Sequence, residues 1–346
     1  MRRRVRMAFL MVVLLMAAAS CQRRPFAEWN TKVDLQLAVK TEIVNEPAIP
    51  ELETMRLGMY HTVTGDIQHT DFVAPTGGVI HPKPGTYHML VYNFGTESTQ
   101  IRNEDNFDEI EAYTSEVSAF LKSQLSNFLT KRAMEKAERE RAKAEAESKN
   151  GTKAEPETSA PADEEKIVYE PDHLFVAHAE AVEIPVLLEG EEDKVVVIEV
   201  EAETVVETWE IVLDNIEGLE YMSSAIAIIS GQAESHYLGR REDSEGVVSI
   251  YFEMDKDEEN GRIVGKFNTF GKHPGEQSVL SLDVNVTDVN GGEQHYHFDI
   301  DSEFMDNPGM DITIEEPVVI EEPKSEGGGF LPTVDDWDEV RTEINL

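Results

Sequence analysis

The second half of the chain is a series of short β-branched and aromatic segments, each followed by turn-forming residues. The segments span residues 221–229, 246–254, 262–270, 278–286 and 294–301. Between the last two lies Asn290-Gly291, a dipeptide that forms tight hairpin turns between alternating strands. No helical period interrupts this half, so its strands must bury their apolar faces against one another. The pattern predicts an antiparallel β-sandwich.

The first half also alternates between apolar and polar positions. Residues 32–39 place valine or leucine at every second position, which is the pattern of a half-buried strand. Residues 194–213 fit either one long strand or two strands with a kink near Glu203. We therefore predict an all-β fold with two tandem antiparallel β-sandwich domains, at residues 21–188 and 189–312.

A charged helical segment interrupts the first domain. At residues 117–129 apolar side chains recur along one helix face, which is typical of a helix that docks on a sheet. At residues 131–149 that stripe is almost absent, and opposite charges four residues apart indicate a solvated helix. Residues 150–165 are polar and contain proline, which favours a disordered link. We predict a helix and disordered insertion at about residues 116–165, and nothing in the sequence suggests a function for its charged part.

The C-terminal segment has a different composition. Residues 313–346 begin as an acidic, Gly/Pro-rich tether and end in an alternating strand with apolar or β-branched side chains at every second position from Val340 to Leu346. Two interpretations remain open. The strand folds back on its own domain as an edge strand, or it pairs with another subunit by β-augmentation.

The first 21 residues have the features of a lipoprotein signal. Four arginines precede a 13-residue apolar run at residues 7–19, which is too short to span a bilayer, since that needs about 20 residues. The run ends in Ala18-Ala19-Ser20-Cys21, which resembles the bacterial lipobox, with alanine in place of its usual leucine. We predict a signal peptide at residues 1–20 and lipidation of Cys21. Because Cys21 is the only cysteine, no intrachain disulfide can form.

The charge of the chain restricts its partners. The formal net charge is −39, and loss of the four arginines before Cys21 takes it to −43. Such a charge repels nucleic acid and anionic headgroups. The sequence therefore predicts a periplasmic or extracellular protein whose membrane association depends on acyl chains at Cys21, and no nucleic-acid partner.

No catalytic constellation is present in the sequence. It lacks the nucleophile-elbow, phosphate-loop and zinc-protease motifs, so we predict a non-enzymatic protein without cofactor or metal. His295 and His297 form an H-x-H pair, continued by Asp299, which we interpret as a solvent-exposed strand face. The acidic clusters at residues 255–259 and 335–339 lack the calcium-loop spacing and are interpreted as solvated runs. Trp209 lies in an apolar strand and is predicted to be core.

Five sequence stretches together resemble one known family. They are HPKPGTYHMLVYNFGTE at residues 81–97, IEAYT at 110–114, SAIAIISGQAESHYLG at 224–239, VGKFNTFG at 264–271 and DDWDEV at 335–340. In this order, and after a lipobox, they resemble the fimbrillin-like lipoproteins of Bacteroidales, a group that includes fimbrial anchor subunits and a close relative family of unknown function.

The resemblance implies a lipoprotein of the outer membrane with two tandem transthyretin-like β-sandwiches. It also implies a role in attaching or terminating a surface fimbria, whose subunits join by strand exchange. Only Cys21 carries over as a functional residue, and residues 131–165 depart from the family pattern. The alternative is a surface or periplasmic lipoprotein that binds a carbohydrate or host ligand and never polymerises. A long unpaired strand edge would favour the first reading, and an exposed aromatic platform the second.

Overall fold

The computed structural model describes residues 31–46, 51–149, 165–186, 195–273, 275, 280–304 and 307–323. The strands and helices of the first half are β1 (Lys32–Val39), β2 (Met55–His61), β3 (Ile67–Val73), β4 (Gly77–Ile80), β5 (Gly85–Asn93), β6 (Thr99–Arg102), β7 (Glu111–Thr114), α1 (Ala119–Gln124), α2 (Ser126–Lys149), β8 (Ile167–Tyr169), β9 (Phe175–Ile184) and β10 (Val195–Thr204).

Those of the second half are β11 (Glu207–Leu213), β12 (Ile216–Glu217), β13 (Met222–Ala233), β14 (Ser235–Tyr237), β15 (Glu242–Asp243), β16 (Val247–Asp257), β17 (Arg262–Thr269), β18 (Ser281–Asp288), β19 (Glu293–Asp299), α3 (Asp301–Phe304), β20 (Asp311–Ile314) and β21 (Val318–Val319). The predicted all-β fold with a helical insertion after β7 is confirmed. Within the described ranges, no helix combines the length and the apolar character that crossing a membrane requires.

The first sandwich packs two sheets face to face. One has the order β3-β2-β5-β9 and the other the order β10-β1-β4. Alternate residues of β1, namely Val33, Leu35 and Leu37, point into the core between them, as the period-two pattern predicts. The two sheets join at one corner, where Glu203 and Thr204 at the end of β10 pair with the start of β9.

The second sandwich shares most of this topology. One sheet has the order β19-β18-β13-β16 and the other the order β17-β11-β20. In chain order, β11, β13, β16, β17, β18, β19 and β20 correspond to β1 to β5, β9 and β10, and five pairings are the same in both sandwiches. The join between the two sheets differs, because β16 pairs with β17 in the second sandwich whereas β9 pairs with β10 in the first. The large apolar core lies between the two sheets. The chain therefore contains two tandem sandwiches of similar design.

The sheets are mainly antiparallel as predicted, but β8 runs parallel to β16, β12 runs parallel to β21, and a further parallel pair recurs in both sandwiches. The last strand runs parallel to the first, β10 beside β1 and β20 beside β11. Each last strand follows a strand of the opposite sheet, so the chain crosses the sandwich before it returns beside the first strand. Periodicity reports which side of a strand is buried and not the direction of its neighbour, so this pairing was not accessible from the sequence.

The predicted domain boundaries need two corrections. The strand β10 pairs with β1 and belongs to the first sandwich. Residues 195–204 are therefore part of the first domain, whereas the boundary at residue 189 placed them in the second. The kink near Glu203 is where the chain passes between sandwiches, since β10 ends at Thr204 and only two residues separate it from β11. The second sandwich also extends past residue 312, because β20 ends at Ile314 and β21 pairs with β12. The side chains of Ile314, Val318 and Ile320 in this segment are buried, so its start is not a tether.

Two additional layers connect the sandwiches. A four-stranded sheet of order β15-β14-β7-β6 takes two strands from each half of the chain. It covers the outer face of the sheet β3-β2-β5-β9 through a shared core that includes Tyr92, Ile110 and Leu238. The helices α1 and α2 emerge from the first half as predicted, but they pack on the outer face of the second sandwich beside β8, which pairs with β16.

Candidate functional site

The centre of the helix contact is a buried arginine of α2. Arg132 is 4% exposed, and its Nε lies 2.6 Å from Oδ2 of Asp283 in β18. Its two Nη atoms donate to Glu165, which precedes β8, at 2.6 and 2.9 Å. Nη2 also donates to Oγ of Ser230 in β13 at 2.7 Å. One side chain thus links the helix to β18, β13 and the segment before β8. We call Arg132, Glu165 and Asp283 the helix clamp.

Two histidines complete the surroundings of Asp283. His295 Nε2 lies 3.1 Å and His297 Nδ1 2.8 Å from its Oδ1. The other ring nitrogen of His295 lies 2.7 Å from Glu135 of α2. Burial alone would raise the pKa of Asp283, but the hydrogen bonds from both histidines and the charge of Arg132 hold it well below its usual range.

The interpretation of His295 and His297 as a solvent-exposed face is therefore wrong. The side chain of His295 is fully buried, because α2 covers this face of the sheet. The sequence pattern placed both histidines on the correct side of β19, but it could not show that a helix from the other half of the chain would cover that side. Among the described residues, no group of three or more histidine, cysteine, aspartate or glutamate side chains is arranged to hold a metal ion.

An apolar patch beside the clamp anchors the helices. Val117, Phe128 and Ile167 pack on Ile228 of β13. The predicted docking face of residues 117–129 is thus confirmed for Val117 and Phe128, whereas Phe120 is 72% exposed. The solvated helix predicted from residue 131 onward has one buried position, Arg132. Its charge can be removed from water because Asp283 and Glu165 pair with it.

Trp209 and the acidic cluster at residues 255–259 make packing and ion-pair contacts within the fold. Trp209 is buried as predicted, stacks on Phe304 with ring centroids 3.8 Å apart, and donates to Glu207. In the acidic cluster at residues 255–259, Asp257 accepts from Arg262 at 2.7 Å. The lipidation candidate Cys21, the cluster at residues 335–339 and the terminal strand at residues 340–346 lie outside the described residues.

The first sandwich is open along one side. After pairing at two positions, β9 and β10 separate, β9 remaining on β5 and β10 on β1. Within the described part of the chain, no strand pairs with the facing edges of residues 177–184 and 195–202. Four partly buried side chains at this opening pack against the core, namely Ala179 and Val182 from β9 and Val196 and Val200 from β10. We call this opening the seam.

A cavity of about 520 Å³ lies at the closed end of the seam. Its walls come from β9, β10, the first residue of β11 and the β14–β15 turn. The ionisable side chains among its lining residues are His178, Glu201, Glu203, Glu207, His236 and Arg241. Sequence reasoning missed this site because its residues converge from both halves of the chain.

The two sandwiches define the fold class of the chain, an all-β protein with two tandem β-sandwiches. A solved structure of an adhesin candidate from Bacteroides ovatus has this fold, with a TM-score of 0.57, 20% identity, and coverage of 85% of this chain and 94% of that one. The chain belongs to the family described as a domain of unknown function, DUF5119, which matches residues 20–253.

Two further comparisons involve fimbrial proteins. The chain is 21% identical over 329 residues to a candidate fimbrium anchoring subunit, Fim4B, of Bacteroides ovatus, with 83% of this chain and 84% of that protein aligned. The fimbrial anchor protein Mfa2 of Porphyromonas gingivalis is similar with a TM-score of 0.48 and 12% identity, over 82% of this chain and 89% of that one.

Proposed function

We propose that this protein is a non-enzymatic, lipid-anchored outer-membrane subunit that attaches or terminates a surface fimbria. The observation that carries the proposal is the seam, where two unpaired strand edges flank apolar side chains of the core. An incoming strand would gain main-chain hydrogen bonds from an edge and would bury its alternate apolar side chains between the sheets. Similarity to a candidate fimbrium anchoring subunit supports this role.

The membrane attachment in this proposal rests on Cys21. Each buried CH2 of an acyl chain contributes about 0.8 kcal/mol, so several chains on one amino terminus hold a protein at a membrane far more firmly than one chain does. Nine residues lie between Cys21 and Thr31, where the described chain begins, and these ten steps along the chain limit the distance between lipid and first sandwich to about 35 Å. The seam would then be presented close to the membrane, as a base subunit requires.

A test of the attachment uses Cys21→Ala. We expect this variant to leave the membrane fraction while the folded chain remains detectable in the soluble fraction. Retention in the membrane at the wild-type level would contradict lipidation at this residue. Pro25→Ala serves as a control, since it lies outside the lipobox and keeps the thiol.

A test of the seam uses the double variant Val182→Lys and Val196→Lys, which places charges where an incoming strand would bury apolar groups. Native protein is isolated from outer membranes in mild detergent after crosslinking, and its companions are identified by mass spectrometry. We expect a β-rich fimbrial subunit with the wild type and with Val247→Lys, an exposed valine of the second sandwich, but not with the double variant. Circular dichroism confirms folding, and unchanged recovery with the double variant would contradict the proposal.

The same isolation, repeated after deletion of residues 330–346, tests whether the terminal strand takes part in the joint. Loss of the companion on deletion would support intermolecular pairing of that strand. Recovery at the wild-type level would favour the interpretation that the strand folds back on its own domain.

A second function is favoured by a different observation. Phe72 and Phe94 are both more than half exposed and meet edge to face, with ring centroids 5.5 Å apart. The guanidinium of Arg56 lies 5.6 and 5.9 Å from their centroids. An exposed aromatic pair of this kind can stack on a sugar, which supports a lipoprotein that binds a carbohydrate or host ligand. Glycan-array binding that is lost in Phe72→Ala and Phe94→Ala, with no fimbrial companion recovered, would favour this function.

A further inference from the structure

The cavity at the closed end of the seam contains an excess of acidic side chains. Glu201 and Glu203 are alternate residues of β10 and share one face of the strand, and Glu207 opens β11 just beyond the crossing between sandwiches. Carboxylates at these positions surround one end of a space large enough for an extended side chain. Because Glu201 and Glu203 are exposed, they keep their charge accessible to a ligand.

His178 adds a hydrogen-bond acceptor to the cavity, whereas Nδ1 of His236 donates to a carboxylate. His178 Nε2 lies 2.7 Å from the carbonyl oxygen of Leu238, which can only accept, so this nitrogen carries the hydrogen. Burial lowers the pKa of His178, which keeps the ring neutral and leaves Nδ1 as an acceptor. His236 Nδ1 lies 2.7 Å from Oδ1 of Asp243.

Positive charge is scarce around this space. Among the described residues that line the cavity, Arg241 is the only lysine or arginine, and its closest ionic partner is Glu180 at 3.7 Å. Outside the lining, Lys40 lies 3.2 Å from Glu203, with both side chains more than half exposed. An exposed pair of this kind contributes little and can be exchanged for another cation. The cavity therefore offers more acceptors than its own donors satisfy.

We propose that this cavity binds the ammonium or guanidinium group of a lysine or arginine side chain carried by the strand that pairs in the seam. The inference rests on the proposed function, because the strand brings the cation to the cavity. It identifies the partner segment as one with alternating apolar residues and a basic side chain at one polar position. A charge-assisted hydrogen bond to carboxylate then sets the register of pairing.

The charge of the seam excludes the acidic C-terminal tail of this protein as its occupant. Residues 335–346 of this chain carry five acidic side chains and a single arginine. The outward face of β10 adds Glu199 to the two glutamates of the cavity. Like charges opposed across paired strands destabilise the pairing, so neither the chain's own tail nor that of a second copy suits the seam. The occupant is a strand from a different, more basic protein.

The experiment measures peptide binding to the full-length protein in mild detergent. The probe is an acetylated and amidated ten-residue peptide of alternating valine and threonine, with one lysine moved through its polar positions. Matching peptides carry norleucine or glutamate in place of lysine. Affinity is measured by fluorescence anisotropy at low and at physiological salt.

We expect one lysine register to bind about tenfold more tightly than the norleucine peptide at low salt, and the glutamate peptide to bind least. The preference for lysine should disappear in the double variant Glu201→Gln and Glu207→Gln. It should increase in Arg241→Gln, which removes the competing cation. The double variant Glu258→Gln and Glu259→Gln, in the β16–β17 turn, changes the net charge equally and should leave affinity unchanged.

The outcomes separate this inference from the proposed function. If all peptides bind alike and without salt dependence, strand pairing holds but selection of a cation is overturned. If no peptide binds, both strand pairing in the seam and the cation site are overturned. A lysine preference that survives the double variant shows that the cation binds elsewhere, and this also overturns the inference.

Discussion

Arg132 and Asp283 are 151 residues apart in the chain, yet Nε of one lies 2.6 Å from Oδ2 of the other in a buried contact. This pair joins the helical insertion of the first half to the outer sheet of the second sandwich. Glu165, at the C-terminal end of the inserted segment, accepts hydrogen bonds from the same guanidinium. Both ends of the inserted segment are therefore held at one point. The insertion is therefore part of the folded body where it begins and where it ends.

Replacement of Arg132 by methionine should strongly destabilise the protein. The variant keeps most of the side-chain volume but leaves Asp283 and Glu165 without their cation. Removing one partner of a buried ion pair costs about 3–5 kcal/mol of unfolding free energy. Urea denaturation followed by circular dichroism measures the change.

Arg139→Met in the same helix is the control for this variant. Its guanidinium lies 4.0 Å from Glu135 and is one-third exposed, so the change should remain within about 0.5 kcal/mol. Equal effects of the two variants would show that the clamp contributes no more than a surface pair.

The clamp should also make stability depend on pH. In the folded protein the pKa of Asp283 lies well below its ordinary value of 3.8, which it regains on unfolding. The unfolded state therefore binds the proton first as the pH falls, so the stabilising contribution is complete above about pH 5 and decreases progressively below it. We expect the difference in unfolding free energy between wild type and Asp283→Asn to be largest near pH 6 and to shrink towards pH 3. A constant difference over this range would contradict the assignment.

The sequence could predict the elements that depend on local pattern. The period-two alternation of β1, the hairpin at Asn290-Gly291 and the docking face around Phe128 all follow from residues close together in the chain. The partner of each element could not be predicted in this way. His295 has the pattern of a polar strand face, and only the distant contact with α2 makes that face buried. The seam likewise depends on how β9 and β10 separate, which no local pattern reports.

The side chain of Asn45 forms hydrogen bonds between the two sandwiches. It lies in the β1–β2 connection of the first sandwich, and its Nδ2 donates to the carbonyl oxygens of Met310 at 2.7 Å and Thr208 at 3.2 Å in the second. Its backbone φ is 64°, in the left-handed region that asparagine tolerates better than most residues. Its own carbonyl accepts from Lys266 at 2.6 Å.

Substitutions of Asn45 should separate the contribution of its side-chain hydrogen bonds to stability from that of its left-handed backbone conformation. Asn45→Ala loses the side-chain hydrogen bonds and strains the backbone, and we expect a loss of about 2–3 kcal/mol. Asn45→Gly loses only the hydrogen bonds, because glycine adopts this backbone conformation without strain. Its loss of unfolding free energy should be about 1 kcal/mol smaller than that of Asn45→Ala. Thermal unfolding of the three proteins provides the measurement. If glycine is no better than alanine, the backbone conformation contributes nothing.

The distal part of the insertion should be dispensable for folding. Lys136 Nζ lies 3.9 Å from Oε2 of Glu165, so the chain returns to the sheet close to the point where the helix leaves it. Residues 141–163 can therefore be replaced by a short Gly/Ser linker without moving Arg132 or Glu165. We expect this truncation to change the unfolding free energy by less than about 0.5 kcal/mol, because Arg141 and Ala142 are exposed and the clamp is intact.

A longer truncation that removes residues 119–163 provides the contrast. It exposes Ile228 and leaves Asp283 without its cation, so the protein should aggregate or unfold at lower denaturant concentration. Adding Ile228→Thr and Asp283→Asn should restore solubility, since the uncovered sheet face then carries neither an apolar patch nor a buried charge. The seam lies on the other sandwich, so both the short truncation and the repaired long one should still recover the companion subunit from outer membranes. Loss of that companion in the short truncation alone would assign the charged helix a direct part in assembly.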